Sequence, residues 1–372
     1  MTLEELTTLE RLNRAFEESA KISNWKDTTQ RYRANLLVNN LQLQEDLRNG
    51  KYTVSPTVDF RIYERGKERC IQAPAMRDRI VQKVLCQDIL LPNLTKSLIY
   101  DNYASLKGRG TSFARKRVDV MLHNFIRKHG NEGYILQIDI RKYFDSIDHD
   151  VLKQLVHEKI HESPEVMSLI DYIIDTSSNS NKGLNLDSEA PQTLAIFYLS
   201  RVDQYVKSVC GMKYYGRYMD DIFVIHDDKE VLKRLLAEIK MQLEFLKLDV
   251  NEKKTHITKL SHGFTFMQIK YDIRGNKVIK RPTHKKIVRE RRRLKKFRKK
   301  YDSGRMDLLQ IQNCYMSWRG NIIRDCNACN GSIRSLDRLY DSLFPIREEH
   351  KRQPRRLLIN GVFREFFNTT TT

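Results

Sequence analysis

The chain has 372 residues, more than one hydrophobic core usually supports, so we expect two or three subdomains. It contains no apolar run long enough to cross a bilayer, and its acidic start lacks the basic and apolar regions of a signal peptide, which together predict a soluble, cytoplasmic protein without membrane contact. The formal net charge of +20, from 67 Lys and Arg against 47 Asp and Glu, predicts a polyanionic partner such as RNA or DNA.

The first 50 residues predict helices. Leucines and Phe16 recur at near-helical spacing among polar residues over 3–49, and Gly50 closes the segment. No residue there suggests chemistry, so we expect a packing element.

A basic hairpin is predicted next, in residues 52–91. A turn at Gly66 carries Lys67 and Arg69, and a helix with Arg77 and Arg79 follows. Cations at such a tip suit the charge of a triphosphate, although a solvated basic hairpin is the alternative.

Residues 103–117 combine two glycines, hydroxyls and five cations ahead of a predicted helix that Thr111 or Ser112 would cap. Exposed amides at a helix start next to Lys107, Arg109 and Arg115 suit a phosphate backbone. A simple loop-to-helix turn is the alternative.

Three aspartates are predicted to meet at strand ends. Asp139 ends a β-rich apolar run over 134–140. The sequence Tyr-Met-Asp-Asp, residues 218–221, separates two further apolar runs and predicts a β-hairpin with Gly216 and Arg217 as turn residues and Asp220 and Asp221 at the tip. Such a trio can bind two Mg²⁺ ions for in-line phosphoryl transfer.

Three further segments predict helices. Residues 193–206 follow a Pro-Gln pair, and an amphipathic helix with Val231, Leu235 and Ile239 in its apolar stripe should cover the sheet. Asp148 is expected to cap a helix near Val151, so Asp145 and Asp148 are not counted as metal ligands.

Residues 281–300 carry a dense run of cations with helical propensity. Phosphate binding is favoured over a solvated face for this run, with the contacts expected at Lys285, Arg289, Arg292 and Lys296.

Six scattered cysteines predict reduced thiols. The lone C-x-x-C of Cys326 and Cys329 leaves zinc or redox chemistry as a minor alternative.

The Tyr-Met-Asp-Asp motif, the stretch Asp-Ile-Arg-Lys-Tyr-Phe-Asp at 139–145 and the flanking blocks resemble a reverse transcriptase of the bacterial type, related to those of group II introns, diversity generation and phage defence. The resemblance covers roughly residues 30 to 345. It implies an α+β right-hand polymerase: an N-terminal helical segment (1–50), fingers (51–130), a palm with a small antiparallel sheet (131–270), a helical basic thumb (271–345) and a basic tail (346–372).

The resemblance implies RNA-directed DNA synthesis from deoxynucleoside triphosphates, with an RNA template and a DNA or RNA primer. It also implies two Mg²⁺ ions, with Mn²⁺ as a substitute. Asp139 and Asp220 would bridge the ions, Asp221 would support them, and the Ile140 carbonyl would join them.

For the nucleotide, the resemblance implies contacts from Arg69, from Arg77 or Arg79, and from three other residues, Phe144, Gln192 and Lys254. Phe144 would be a steric gate against a 2′-hydroxyl, or plain core. Gln192 would contact the nucleotide, or merely begin a helix; Glu189 and Thr193 stand where the family has glycines, and a side chain at Thr193 is expected to crowd the base pair. Lys254 would be a general acid, or a surface lysine.

Residues 263–269 resemble the family's primer-grip hairpin, with Met267-Gln268 in place of the frequent Leu-Gly. No nuclease constellation follows the thumb, which makes an intron-encoded protein less favoured than diversity generation or phage defence. A dedicated noncoding RNA or an accessory protein is a possible partner. The rival activities are RNA synthesis, untemplated addition, and RNA binding by an idle polymerase fold.

Overall fold

The computed structural model describes residues 1–64, 67–178, 180–185 and 188–345. It divides into two compact units, Met1–His262 and Gly263–Thr372. Expectations that rest on Gly66 or on the basic tail lie outside the described residues. Among the helices within those ranges, none is both long and apolar enough to cross a bilayer.

Helices make up most of the first unit. In chain order they are α1 (Leu3–Leu6), α2 (Leu9–Ala20), α3 (Asp27–Ala34), α4 (Leu36–Arg48), α5 (Met76–Leu85), α6 (Leu91–Leu94), α7 (Thr111–His129), α8 (Tyr143–Ser146), α9 (His149–His157), α10 (Pro164–Asp175), α11 (Glu189–Tyr198), α12 (Ser200–Gln204) and α13 (Lys229–Phe245). Single π-helical turns follow α5 and α12.

Helices α1 to α4 confirm the prediction for residues 3–49, and Gly50 follows them in the left-handed region at φ +65°. Leu12 and Phe16 of α2 are buried, and α2 packs against α5. Arg14 adds an ion pair to Asp88, with 2.7 Å between nitrogen and oxygen. The segment is therefore part of the first unit's core, as expected of a packing element.

A two-stranded antiparallel ribbon, β1 (Val58–Glu64) and β2 (Lys67–Ala73), confirms the predicted hairpin. Two strands alone are marginally stable in water, so the ribbon depends on what it contacts at its base. One such contact is made by Asn185, whose amide donates to the carbonyl of Gln72 at 3.4 Å.

The central sheet of the first unit has four antiparallel strands in the order β4 (Tyr214–Tyr218), β5 (Asp221–His226), β3 (Tyr134–Asp139) and β6 (His256–Lys259). Successive side chains point to opposite faces of a strand, and both faces of this sheet are covered. Leu136 and its cross-strand neighbour Val224 belong to the main core, on which α13 packs. On the other face, the Phe223 ring stacks with Tyr103.

Covering both faces explains why β3 and β5 are almost continuously apolar rather than alternating. Helix α13 confirms the prediction that an amphipathic helix covers the sheet. Its buried residues are Leu232, Leu235, Ile239 and Leu243, whereas Val231 is partly exposed, so the stripe begins one residue later than expected.

Within its described residues, 263–345, the second unit contains a three-stranded antiparallel sheet and three helices. The strands are β7 (Phe264–Phe266), β8 (Ile269–Arg274) and β9 (Lys277–Pro282), and the helices are α14 (His284–Asp302), α15 (Leu308–Asp325) and α16 (Asn330–Leu343). Its helical core includes Leu294, Phe297, Ile311, Tyr315 and Leu336.

Cys326 and Cys329 are buried free thiols at the turn between α15 and α16. Between them, Asn327 accepts from the Lys280 amide at 2.7 Å and donates to the Val278 carbonyl at 2.8 Å. The turn therefore supplies hydrogen-bond partners for two backbone groups of β9, which is a structural role for this C-x-x-C segment.

Candidate active site

The predicted hairpin with acidic residues at its tip is formed by β4 and β5. The prediction of its turn was wrong: Gly216 and Arg217 lie within β4, and the two-residue turn is Met219 and Asp220. Met219 adopts φ +54°, the left-handed region that tight hairpin turns use. The first strand thus continues through Gly216 and Arg217 to Tyr218, and Asp221 begins β5 rather than standing in the turn.

Gly216 is required by close packing. A Cβ atom at this position would lie 2.3 Å from the hydroxyl oxygen of Tyr103, whose buried ring occupies that space. Backbone hydrogen bonds link the same region, since the Tyr103 amide donates to the Arg217 carbonyl at 2.9 Å. Gly216, which the sequence predicted as a turn residue, therefore leaves room for the Tyr103 ring to pack against β4.

Arg217 is fully buried beneath the turn. Its guanidinium binds the equally buried Asp203 of α12, with Nε to Oδ1 at 2.8 Å. It also donates to the carbonyl oxygens of Met219 at 2.9 Å and Ile196 at 2.8 Å. Sequence reasoning missed this residue because its partner is 14 positions away and no local pattern marks a buried pair.

Asp139 is the last residue of β3, as predicted, and it lies directly opposite Asp221 of β5. Directly opposed residues of antiparallel strands project from the same face with neighbouring Cβ atoms. Asp220 occupies the adjoining turn. The structure therefore brings together the three aspartates that were predicted from positions far apart in the chain.

Electrostatics reflect this proximity. Restricted hydration raises the pKa of Asp221 to about 6, with a further contribution from the like charges of Asp220 and Asp139. The pKa of Asp220 is also raised, first by burial and then by Asp139. Clustered negative charge of this kind is what a bound cation stabilises.

Two residues of the loop that precedes β6, Lys254 and Asn251, hold the Asp139 carboxylate. The Lys254 ammonium lies 2.8 Å from Oδ1 and 3.0 Å from Oδ2, and the Asn251 amide donates to Oδ2 at 2.9 Å. The hydrogen bond to Asp139 raises the pKa of Lys254. Asn251 was missed by sequence reasoning, because it meets Asp139 only through the fold.

The chemistry of the donors fits a hard divalent cation, since all are carboxylate or carbonyl oxygens. Ile140, whose carbonyl was expected to join them, lies beside the aspartates and forms a bridge with Val250. Within the described ranges, no three acidic, thiol or imidazole side chains converge as a ready-made metal site.

A cleft of about 1470 Å³ opens in front of Asp139 and Asp220. Its wall includes Phe144, which is partly exposed, while the adjacent Tyr143 is buried. Phe144 is backed by the segment around Gly183, because the Leu184 amide donates to the Phe144 carbonyl at 2.9 Å. Phe144 therefore presents a supported aromatic surface in the same cleft as the acidic residues.

The cleft also contains cations and two additional carboxylates. Its lining includes Arg141, Lys142, Lys182, Lys253 and Lys254, together with Asp145 and Glu252. Asp148 is instead the N-cap of α9, accepting from the Val151 amide at 3.2 Å, as predicted.

The predicted finger cations have separate surroundings. Arg69 lies in β2 opposite Ile62, and its side chain is outside the described residues. Arg77 is engaged by Asp46, at 2.8 Å, and lies over the Tyr52 ring. Burial lowers the pKa of Arg79.

Arg79 and Gln192 line a second cavity of about 230 Å³, between the end of α2, the middle of α5 and the start of α11. Neither residue lines the larger cleft. In this arrangement the structure does not bring these two predicted nucleotide contacts onto the surface that carries the aspartates.

Helix α11 begins at Glu189, four residues earlier than the predicted start at 193, so Gln192 lies within its first turns. Thr193 is buried, and its hydroxyl lies 3.3 Å from the Cys86 sulfur. The expectation that Thr193 crowds a base pair was therefore wrong: helical geometry turns its side chain into the core.

The predicted phosphate loop leads into α7. Gly110, at φ +136°, is the N-cap, so the expectation of a cap from Thr111 or Ser112 was wrong. Arg109 donates to the Asn102 carbonyl at 2.8 Å and thereby helps to build the loop. Lys107 is exposed and Arg115 is partly buried.

The cationic run forms α14 of the second unit, which confirms the predicted helix. Lys285, Arg289, Arg292 and Lys296 are all exposed, and their spacing places them along one side of the helix.

The segment that resembles a primer grip forms the β7–β8 hairpin of this unit. Its turn residues Met267 and Gln268 both have positive φ, at +47° and +61°. The turn thus keeps the left-handed backbone that glycine would favour.

Comparisons with known proteins give one family match. A family model described as reverse transcriptase (RNA-dependent DNA polymerase) matches residues 56–271. No curated protein sequence matches the chain.

Among solved structures, the chain is similar to apo telomerase from Candida tropicalis truncated from its C-terminal domain, at 14% identity and a TM-score of 0.45, over 65% of this chain and 59% of that chain. It is also similar to telomerase from Candida albicans in complex with a TWJ fragment of telomeric RNA, at 10% identity and a TM-score of 0.50, over 84% of this chain and 58% of that chain. The matches span less than two thirds of each telomerase chain, and the second one shows a shared fold.

Proposed function

Because the chain belongs to the reverse transcriptase family, whose model matches more than half of it, we propose that it is an RNA-directed DNA polymerase. It extends a primer with deoxynucleotides by phosphoryl transfer that depends on two Mg²⁺ ions, with Mn²⁺ as a substitute. The observation that carries this proposal is the placement of Asp139 opposite Asp221, with Asp220 in the adjoining turn, at the edge of a 1470 Å³ cleft.

Each acidic residue has a role in this proposal. Asp139 and Asp220 hold the ions, Asp221 supports them from the start of β5, and the Ile140 carbonyl contributes an oxygen ligand. When bound, the ions supply the charge that lowers the pKa of the primer 3′-hydroxyl and stabilises the leaving oxygens. The raised pKa values of Asp220 and Asp221 support a site that gains from added positive charge.

Other cleft residues select and process the nucleotide. Phe144 lies under the sugar and excludes a 2′-hydroxyl, a role supported by its partly exposed position in the cleft. Lys254 delivers a proton to the departing pyrophosphate. Arg69 of the fingers contacts the nucleotide in this proposal. Arg77, Arg79 and Gln192 would have to approach the cleft when a nucleotide binds, because Arg77 is paired with Asp46 and the other two line another cavity.

Nucleic acid is the proposed partner of the basic surfaces. The exposed row on α14 suits the phosphates of a template–primer duplex, and Lys107, Arg109 and Arg115 suit the template strand. The template is RNA and the primer is DNA or RNA. A bacterial-type role in diversity generation or phage defence, with a dedicated noncoding RNA or an accessory protein, is the proposed context.

The decisive experiment compares Asp220→Ala with Asp145→Ala, because both residues line the cleft but only Asp220 is assigned to the ions. Incorporation of labelled deoxynucleotides on an RNA template should fall by about 10³-fold or more in Asp220→Ala, the scale of losing an essential catalytic group. RNA binding, measured by fluorescence anisotropy, should persist. Near-normal polymerisation by folded Asp220→Ala would refute the assignment.

A further inference from the structure

Lys254 is bound to both oxygens of the carboxylate that the proposed metal site needs. Its ammonium lies 2.8 Å and 3.0 Å from the two Asp139 oxygens, and Asn251 occupies a further position on Oδ2. A divalent ion that used the same oxygens would place a charge of the same sign next to the ammonium. Lys254 and the ion therefore compete for one carboxylate.

Hydrogen bonds hold the backbone that carries Lys254, whereas the stem of its side chain is exposed and flexible. The Asn251 amide donates to the Asp139 carbonyl at 2.7 Å, the Arg141 amide to the Asp249 carbonyl at 2.8 Å, and the Lys254 amide to the Asn251 carbonyl at 2.9 Å. The Lys254 side chain is 61% exposed. Its flexible stem allows the ammonium to leave Asp139 without any change in the strand or the loop.

The destination of the released ammonium is the cleft itself. Arg141, Lys142 and Lys253 line the same cleft as Lys254 and Asp139. Asp145, Asp220 and Glu252 also line the cleft, so it carries both signs of charge, and a nucleotide triphosphate is the anion that its group of cations would attract. Release from Asp139 therefore prepares Lys254 to contact phosphate.

We propose that divalent metal binding at Asp139 displaces Lys254, and that this exchange couples occupation of the metal site to the presentation of Lys254 to the phosphates of the incoming nucleotide. The inference rests on the proposed function, because it takes Asp139 as a metal ligand. It adds that Lys254 first competes with the ion for the Asp139 carboxylate and then contacts the nucleotide.

Metal binding by the full chain, without nucleotide, tests the exchange. The probe is Mn²⁺, with the free ion measured by electron paramagnetic resonance. Lys254→Met should lower the Kd for Mn²⁺ about two- to fivefold relative to Lys253→Met, the effect of losing a competing exposed ion pair. The neighbouring variant is the matched control, because it removes the same charge from the same cleft but not the contact with Asp139.

Equal shifts in the two variants, or weaker Mn²⁺ binding by Lys254→Met, would overturn the exchange. Asp139→Asn separates this failure from a failure of the proposed function. If Asp139→Asn leaves Mn²⁺ binding unchanged, the metal site itself is wrongly assigned and the exchange falls with it. If Mn²⁺ binding requires Asp139 but the lysine variants shift equally, the exchange alone is rejected.

Amine labelling provides a second test on the unmodified chain. A brief pulse of acetic anhydride, read by mass spectrometry, reports the acetylation of Lys254 relative to Lys253. Because the Lys254 ammonium is held by both oxygens of Asp139, displacement by Mg²⁺ should expose the amine and increase this ratio. Asp139→Asn should show the increased ratio without Mg²⁺. A ratio that Mg²⁺ does not change would contradict displacement.

Discussion

At the scale of single residues, the ion pair of Arg217 and Asp203 in the first unit tolerates little change at either residue. Both side chains are fully buried, so each charge has lost its hydration and depends on the other. The remaining guanidinium donors reach the Met219 and Ile196 carbonyls, while Asp203 also accepts from the Tyr215 hydroxyl. The pair thus connects α12, α11 and the turn that carries Asp220.

We expect Arg217 to position the turn, and a double variant can separate that role from stability. Arg217→Met should destabilise the chain by about 3–5 kcal/mol, because it leaves a buried carboxylate unpaired. Arg217→Met with Asp203→Asn should recover much of that loss, since no charge is left buried and the amide can still accept from Tyr215. Thermal unfolding measures both effects.

The recovered double variant should still incorporate deoxynucleotides about 10- to 100-fold more slowly, because the Met219 carbonyl has lost its donor and the Asp220 turn is less precisely held. Single-turnover extension at saturating nucleotide and metal measures this rate. A folded double variant with the wild-type rate would mean that the pair serves the fold and not the site.

Sequence patterns predicted the position of charges at strand ends and failed for charges that the fold buries. The placement of Asp139, Asp220 and Asp221 followed from the apolar runs beside them, whereas their role in catalysis stays a prediction. Arg217 was read as a turn residue because a Gly-Arg pair before a polar motif looks locally like a turn. Nothing local reveals that Asp203 and Tyr103 fill the space around it.

At the scale of elements, periodicity predicted α13, α14 and the strands around the aspartates, because each has a long repeated pattern. Element starts were less predictable. Helix α11 begins four residues early, at Glu189, whose ion pair with Lys83 of α5 is a contact between distant segments. The contact of Asn251 with Asp139 likewise spans 112 positions, and no periodicity encodes it.

Helix α14 contains an unfavourable buried acid, Glu290. It is 3% exposed, its Oε2 lies 3.3 Å from Arg293, and its Oε1 has no hydrogen-bond partner among the described residues. Burial raises the pKa of Glu290, with Arg293 acting in the opposite direction. The contribution of this carboxyl to the free energy of unfolding is therefore fully present below the pKa that Glu290 has in the unfolded chain. It is lost as the pH rises through the higher pKa of the folded chain.

Glu290→Gln should stabilise the second unit at neutral pH, by on the order of 1 kcal/mol, because it removes the buried charge. The gain should be larger at pH 8 than at pH 5, where the folded carboxyl is closer to neutral. Thermal unfolding at the two pH values measures it. The exposed Glu244→Gln of α13 is the control, and a gain that did not grow with pH would contradict the electrostatic explanation.

At the scale of the whole molecule, the cations behind the net charge of +20 are not equally available to an anionic partner. Many of them form ion pairs within the fold: Arg14, Arg77 and Arg217 are paired with Asp88, Asp46 and Asp203. The exposed row on α14 stands in contrast to them, because its spacing matches one side of a helix. Composition predicted an anionic partner but could not show which cations remain available to it.

Removing that row should therefore weaken nucleic-acid binding more than removing equal charge elsewhere. Changing Lys285, Arg289, Arg292 and Lys296 to Gln should reduce the slope of log Kd against log salt concentration by about 3 to 4, if each residue neutralises one phosphate of a bound duplex. The matched control changes four exposed lysines of the first unit, Lys21, Lys51, Lys128 and Lys159, to Gln. Fluorescence anisotropy with an RNA–DNA duplex at several salt concentrations measures both. Equal losses of slope would mean that the attraction comes from total charge rather than from a binding surface on α14.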